Sequence, residues 1–253
     1  MRFNWEASHH AAIANVVKEK FKFVATSLSI WVILSAIAPA WGAKIDKATG
    51  LSAEQYREMG LAYRRQEKLS EAIAALQKAV ELDPKDVSGR VILGWTQHLA
   101  GKEEEAATSL WGAIYLKPQT VEAFNALGIV YLVQGSLPHA VMVHSWAALL
   151  KPDNEIAYYN LSLAYHRQQQ YDLAIANAVR AADLEPSNPH PLVALAIAHW
   201  DAGDRAAARK AYRDALRVDG RYSSAAFLDY LKEAGFSPEQ IRVSKQVLGA
   251  SNS

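Results

Sequence analysis

The chain has 253 residues, no cysteine, 27 basic and 26 acidic side chains, and a formal net charge of +1. These totals exclude a disulfide scaffold, a thiolate metal site and a cysteine nucleophile, and they supply no global positive field that would draw the chain to nucleic acid. Alanine, leucine, glutamine and charged residues dominate while strand-type alternation is scarce, which points to helix.

The first 43 residues differ from the rest. From Phe23 to Ala43, FVATSLSIWVILSAIAPAWGA carries no charged residue. As a helix rising about 1.5 Å per residue it would reach about 30 Å, the thickness of a bilayer core. Arg2, Lys18, Lys20 and Lys22 precede it, so the positive-inside rule keeps the N-terminus in the cytoplasm and sends everything after Ala43 out of it. Two readings follow. Ala38-Pro39-Ala40 has the small-residue spacing of a signal peptidase site, so residues 1–43 can be a removable signal peptide. The length of the span and of its leading region instead suits a retained transmembrane anchor. A buried core helix is a third reading. The first two both make the remainder extracytoplasmic, in a periplasm or equivalent lumen. Residues 44–52 then form a short linker.

Beyond the linker a fixed period takes over. Pro84, Pro118, Pro152 and Pro186 stand 34 residues apart, in LDPKD, LKPQT, LKPDN and LEPSN. Such a period marks a stacked repeat protein. Five units fit without insertion: 53–86, 87–120, 121–154, 155–188 and 189–222. Within each, apolar residues fall at positions 4, 7, 8 and 11 and again at 17, 20, 21, 24, 27 and 28, which is one face of each of two helices, A and B. Small residues recur where A and B should touch. Position 8 is Gly60, Gly94 and Gly128, then Ser162 and Ala196. Position 20 is Ala72, Ala106, Ala140, Ala174 and Ala208, and position 27 is Ala79, Ala113, Ala147, Ala181 and Ala215. A larger side chain at these positions would force the helices apart, at about 1–3 kcal/mol. The proline at position 32 stops helix B; the fifth unit has Gly220 instead.

Small residues at 8, 20 and 27, aromatics at 4 and 11, and proline at 32 resemble the tetratricopeptide repeat, and QYREMGLAYRRQEKLSEAIAALQKAVELDP (residues 55–84) lies close to its consensus. The resemblance covers 53–222. It implies an all-α fold, a right-handed α-solenoid of stacked antiparallel helix pairs. Arg90, Gln97, His199 and His144 depart from the pattern, and looser packing is expected around them. After Tyr222, SSAAFLDYLKEAG reads as a further helix. FSPEQIRVSKQVL opens another, with Ser237 as N-cap, Pro238 at N1 and Gln240 completing a capping box. Residues 223–253 are thus expected to cap the apolar end of the stack and finish in a short tail.

Catalytic signatures are missing. There is no phosphate-binding glycine loop, H-E-x-x-H or G-x-S-x-G. The histidines of the repeats do not pair at i, i+4 as helical zinc ligands would, and Glu103-Glu104-Glu105 opens a helix B, where carboxylates suit the dipole. No enzyme, cofactor, metal, nucleic acid or small-molecule substrate is expected.

In the resembled family the A helices line a concave, ligand-facing groove through positions such as 5, 9 and 12. Carried onto this chain, those positions include Val91, Trp95, Ile129, Leu132, Tyr159, Leu163, Val193, Ile197 and Trp200, an apolar set suited to an amphipathic segment of a partner protein. The alternative is that they pack on neighbouring A helices or on the chain's own C-terminal helix. On the outward B-helix side, repeats 1 and 5 read as solvated, but repeats 2 and 3 present Trp111, Tyr115, Met142, Trp146 and Leu149. Such apolar patches mark protein or membrane contacts. The expectation is a non-catalytic interaction scaffold, exported or tethered through residues 23–43, that assembles a membrane or envelope complex. A self-associating structural protein and an accessory subunit of an envelope enzyme remain as alternatives.

Overall fold

The computed structural model describes residues 44–251. The proposed signal or anchor lies outside the described residues. Ten helices follow the linker in strict alternation. The A helices are α1 (Ala53–Arg65), α3 (Val87–Leu99), α5 (Val121–Gln134), α7 (Glu155–Arg167) and α9 (Pro189–Asp201). The B helices are α2 (Leu69–Leu82), α4 (Glu103–Leu116), α6 (Leu137–Leu150), α8 (Tyr171–Leu184) and α10 (Arg205–Val218). Each helix packs on the one before and the one after, and successive A helices from α3 onward also meet. The fold is an all-α solenoid.

The glycines at position 8 are explained by what faces them. A Cβ added to Gly60 would lie 2.6 Å from Leu76 Cγ, one on Gly94 2.7 Å from Leu110 Cγ, and one on Gly128 2.3 Å from His144 Nε2. Leu76, Leu110 and His144 all occupy position 24, so each branched or ringed side chain fills the space that the glycine leaves open. In the fourth repeat position 24 shrinks to Ala178, and position 8 can carry Ser162. The alanines at positions 20 and 27 are buried in every repeat.

The A-to-B turn uses one device five times. Position 15 is left-handed throughout: Glu67 (φ 61°), Gly101 (φ 72°), Gly135 (φ 76°), Gln169 (φ 60°) and Gly203 (φ 92°). Around it the amide of position 16 reaches back to the carbonyl of position 11, as in Lys68 to Tyr63 and Asp204 to His199. That is the Schellman arrangement, which satisfies carbonyls the helix end would leave unpaired.

Three of the four residues that depart from the repeat pattern are held in place by specific contacts or burial. His144 is fully buried. Gln97 is buried and accepts a hydrogen bond from Ser109 Oγ at 2.7 Å. Arg90 folds over Gly112 and donates to the Pro84 carbonyl. The C-terminal part also differs from expectation. Phe227–Ala234 forms a 3-10 segment rather than an α-helix and ends at Gly235 (φ 84°). The last helix, α11 (Pro238–Ser251), starts with the expected capping box: Ser237 N donates to Gln240 Oε1 at 3.0 Å and Gln240 N to Ser237 Oγ at 3.3 Å.

Candidate protein-binding surfaces

The C-terminal segment does more than cover the end of the stack. It packs along the A helices of the last repeats, over the residues expected to face a ligand. The Tyr159 hydroxyl donates to the Ala234 carbonyl at 2.5 Å, and the Tyr159 ring lies 6.2 Å from that of Phe236. Gln240 Nε2 donates to the Leu163 carbonyl at 3.1 Å and to His166 Nδ1 at 3.3 Å. The Gly235 backbone sits against Leu132 and Leu163. Burial pushes the Tyr159 hydroxyl well above the usual tyrosine range and the His166 imidazole below the usual histidine range. Asp201 Oδ2 lies 3.1 Å from His166 Nε2 and opposes the second shift.

The groove assignment is therefore corrected over its C-terminal half. Leu132, Tyr159, Leu163, Val193 and Ile197 belong to one buried cluster with Leu228, Leu231, Phe236, Val243 and Val247. They are core, because an amphipathic segment of the same chain supplies the apolar surface they need. Trp200 is half-buried, with the Arg205 guanidinium 3.8 Å over its ring. Position 5 is also spent internally in the first and third repeats. Arg57 Nη1 donates to Asp86 Oδ2 at 2.7 Å. Asn125 and Asn154 exchange two hydrogen bonds, at 3.3 and 2.9 Å. In each pair a side chain from position 5 meets one from position 34, the residue that leads into the next A helix. No motif signals this link; only a polar residue recurring at both ends of one unit could have suggested it.

The A-helix face of the first two repeats, and Ile129 on the third, stay uncovered by the C-terminal segment. Leu61, Val91 and Ile129 are only partly buried, beside the buried Trp95. Arg64, on the same face, has no ion pair or hydrogen bond to another side chain among the described residues, and burial beside Arg65 lowers its affinity for its proton. The depressions along the stack are shallow; one is lined by Met59, Leu61, Ala62 and Arg65.

The outward patch of repeats 2 and 3 is exposed as the sequence predicts. Trp111 is 39 %, Met142 42 %, Trp146 50 %, Leu149 68 % and Tyr115 87 % accessible. The Trp111 indole N–H donates to the Tyr131 hydroxyl at 2.8 Å, which fixes one edge of the ring and leaves the rest open.

With this geometry in place, tetratricopeptide repeat models match residues 53–86, 156–188 and 193–231. These three stretches are similar to tetratricopeptide repeats. The second and third repeats, which carry the outward patch, fall outside the matched stretches. Among curated proteins none matches the sequence. Solved structures do. A crystal structure of MamA is 24% identical, covering 68% of this chain and 93% of that one, with a TM-score of 0.61. MamA from Desulfovibrio magneticus RS-1, residue 41 to the end, is 22% identical over 68% of this chain and 97% of its own, with a TM-score of 0.62. YrrB, described as a TPR protein with an unusual peptide-binding site, is 16% identical over 67% and 87%, with a TM-score of 0.56. At these identities the likeness is one of fold.

Proposed function

We propose that this chain is a non-catalytic interaction scaffold of the extracytoplasmic side, exported by residues 1–43 and either released by cleavage or held in the membrane by residues 23–43. Its clients would be apolar or amphipathic segments of proteins joining a membrane or envelope complex. A rigid repeat array acts by position: it raises the local concentration of whatever it holds. The observation that carries this reading is the uneven use of the A-helix face. Its C-terminal half is filled by the chain's own apolar segment, and its N-terminal half offers Leu61, Val91 and Ile129 with nothing packed on them from that segment. A surface that accepts one amphipathic segment in cis has the right chemistry to accept another in trans.

The test is crosslinked capture from solubilised membranes with the full chain and with a Leu61→Glu, Ile129→Glu variant. Partner proteins should be recovered by the first and lost by the second, with circular dichroism unchanged. The N-terminus of the recovered chain, read by mass spectrometry, decides between release and anchoring. Equal capture by both chains would refute the groove. Recovery of the chain alone would favour the self-associating alternative.

A further inference from the structure

The outward patch calls for a separate account, because the groove reading does not use it. We infer that the B-helix face of repeats 2 and 3 lies on the membrane surface, with Trp111, Tyr115, Met142, Trp146 and Leu149 entering the headgroup region. This rests on the anchored form of the proposed function.

The tether supports it first. The uncharged stretch ends at Ala43, and the chain is already fixed at Asp46. Its carboxylate accepts from the Tyr56 hydroxyl at 2.8 Å and lies 3.8 Å from Lys78 Nζ. The few residues between can span only about 10 Å. Lys78 belongs to α2, a B helix, so the described chain starts beside the B-helix face of the first repeat. The next B helices along that face are α4 and α6, which carry the patch.

Composition supports it second. Tryptophan and tyrosine, with an apolar body and one polar atom, favour the bilayer interface. The third repeat carries only Glu122, Lys151 and Asp153 as charged residues, so little desolvation opposes contact with lipid. The far end of the stack is different: on α10 the Lys210–Asp214–Arg217 cluster keeps the outward face of repeat 5 in water. Docked in this way, the open A-helix face of the first two repeats points into the aqueous compartment, where a client can reach it.

Because the chain has no cysteine, single reporter sites are easily placed. The full chain, carrying Leu149→Cys or the control Arg213→Cys with an environment-sensitive dye, is reconstituted into vesicles of phosphatidylcholine with a minority of phosphatidylglycerol. Both should float with the vesicles. The dye at 149 should shift its emission to the blue, lose quenching by iodide and gain quenching by a nitroxide-bearing lipid; the dye at 213 should stay open to iodide. Adding Trp111→Glu and Trp146→Glu should return iodide access at 149 with helicity intact. A floating chain whose dye at 149 stays open to iodide overturns the face-on contact and leaves the anchor standing. A chain that does not float overturns both. Shielding from iodide without lipid quenching, together with energy transfer between differently labelled copies, would mean that a second copy covers the patch and would also overturn the inference.

Discussion

His144 gives the sharpest test of the packing. It sits at position 24, where repeats 1 and 2 have Leu76 and Leu110, and it fills the same slot beside the position-8 glycine. The ring is completely buried and neither nitrogen has a hydrogen-bond partner among the described residues. Leaving buried polar atoms unpaired costs about 1–3 kcal/mol, so His144→Leu should stabilise the chain by about that much at pH 7. The pH dependence is more specific. Burial pushes the His144 imidazole from 6.5 down to about 3. Above pH 6.5 neither the folded nor the unfolded chain protonates it and the residue adds no pH dependence. Below 6.5 the unfolded chain takes up a proton that the folded chain refuses until about pH 3, so stability falls through that window. At 1.36 kcal/mol per pH unit the loss at pH 5 is about 2 kcal/mol. Urea unfolding of both chains at pH 7 and pH 5, followed by circular dichroism, reads this directly. The advantage of the leucine variant should grow by about 2 kcal/mol on acidification. His166, also shifted down by burial, adds a fall in the same direction to both proteins and cancels in the difference. An advantage that is the same at both pH values would refute the reasoning, because it would mean that His144 finds a partner or water when protonated.

Three further outcomes follow from the turns and the buried polar pairs. Gln169→Gly should stabilise the chain by about 1 kcal/mol, since Gln169 holds a left-handed φ of 60° that glycine adopts freely; the unfolding midpoint reads it. Asn125→Leu should destabilise by about 1–3 kcal/mol, because it removes both bonds between Asn125 and the buried Asn154 and leaves the Asn154 Nδ2 group unpaired, while Oδ1 keeps only the Ala157 amide at the start of α7. Tyr159→Phe removes the hydrogen bond to Ala234 and should speed amide exchange across residues 227–251 with little change in residues 53–120, a contrast that hydrogen-exchange mass spectrometry resolves.

What the sequence made legible was whatever repeats locally. The period of 34 held without insertion, so the ten helices could be placed from apolar spacing, and the small residues at 8, 20 and 27 pointed to close helix contact. The left-handed turn at position 15 was hidden because Glu67 and Gln169 stand where glycine would have announced it. The C-terminal half of the groove stayed open between a partner segment and the chain's own C-terminal helix for a different reason. Tyr159 and Ala234 are 75 residues apart, and no periodicity within a repeat can report which distant segment covers its face. One clue was available. Leu228, Leu231, Phe236, Val243 and Val247 are more apolar side chains than a cap on the last repeat alone would need, and they required a longer surface to bury.

The polar contacts under the C-terminal segment explain why it settles in one register. Apolar packing alone is tolerant: a helix can slide or turn in an apolar groove at modest cost. Gln240 cannot. It is fully buried, and its amide is satisfied only where the Leu163 carbonyl and His166 Nδ1 both lie within reach. Tyr159 adds a second fixed point at Ala234, on the other side of the Gly235 turn. A shift of the segment by one residue would leave these buried groups unpaired, at about 1–3 kcal/mol each. The A-helix face that this segment leaves uncovered offers Leu61, Val91 and Ile129, and Arg64, which has no side-chain partner among the described residues. A client held there would be selected by apolar surface and by an acidic group to meet Arg64, and not by an exact register. Gln240→Leu separates the two cases. It should leave the C-terminal segment packed but heterogeneous in position, with peak doubling for residues 227–251 in amide spectra. A single sharp set of peaks would show that apolar packing alone fixes the register.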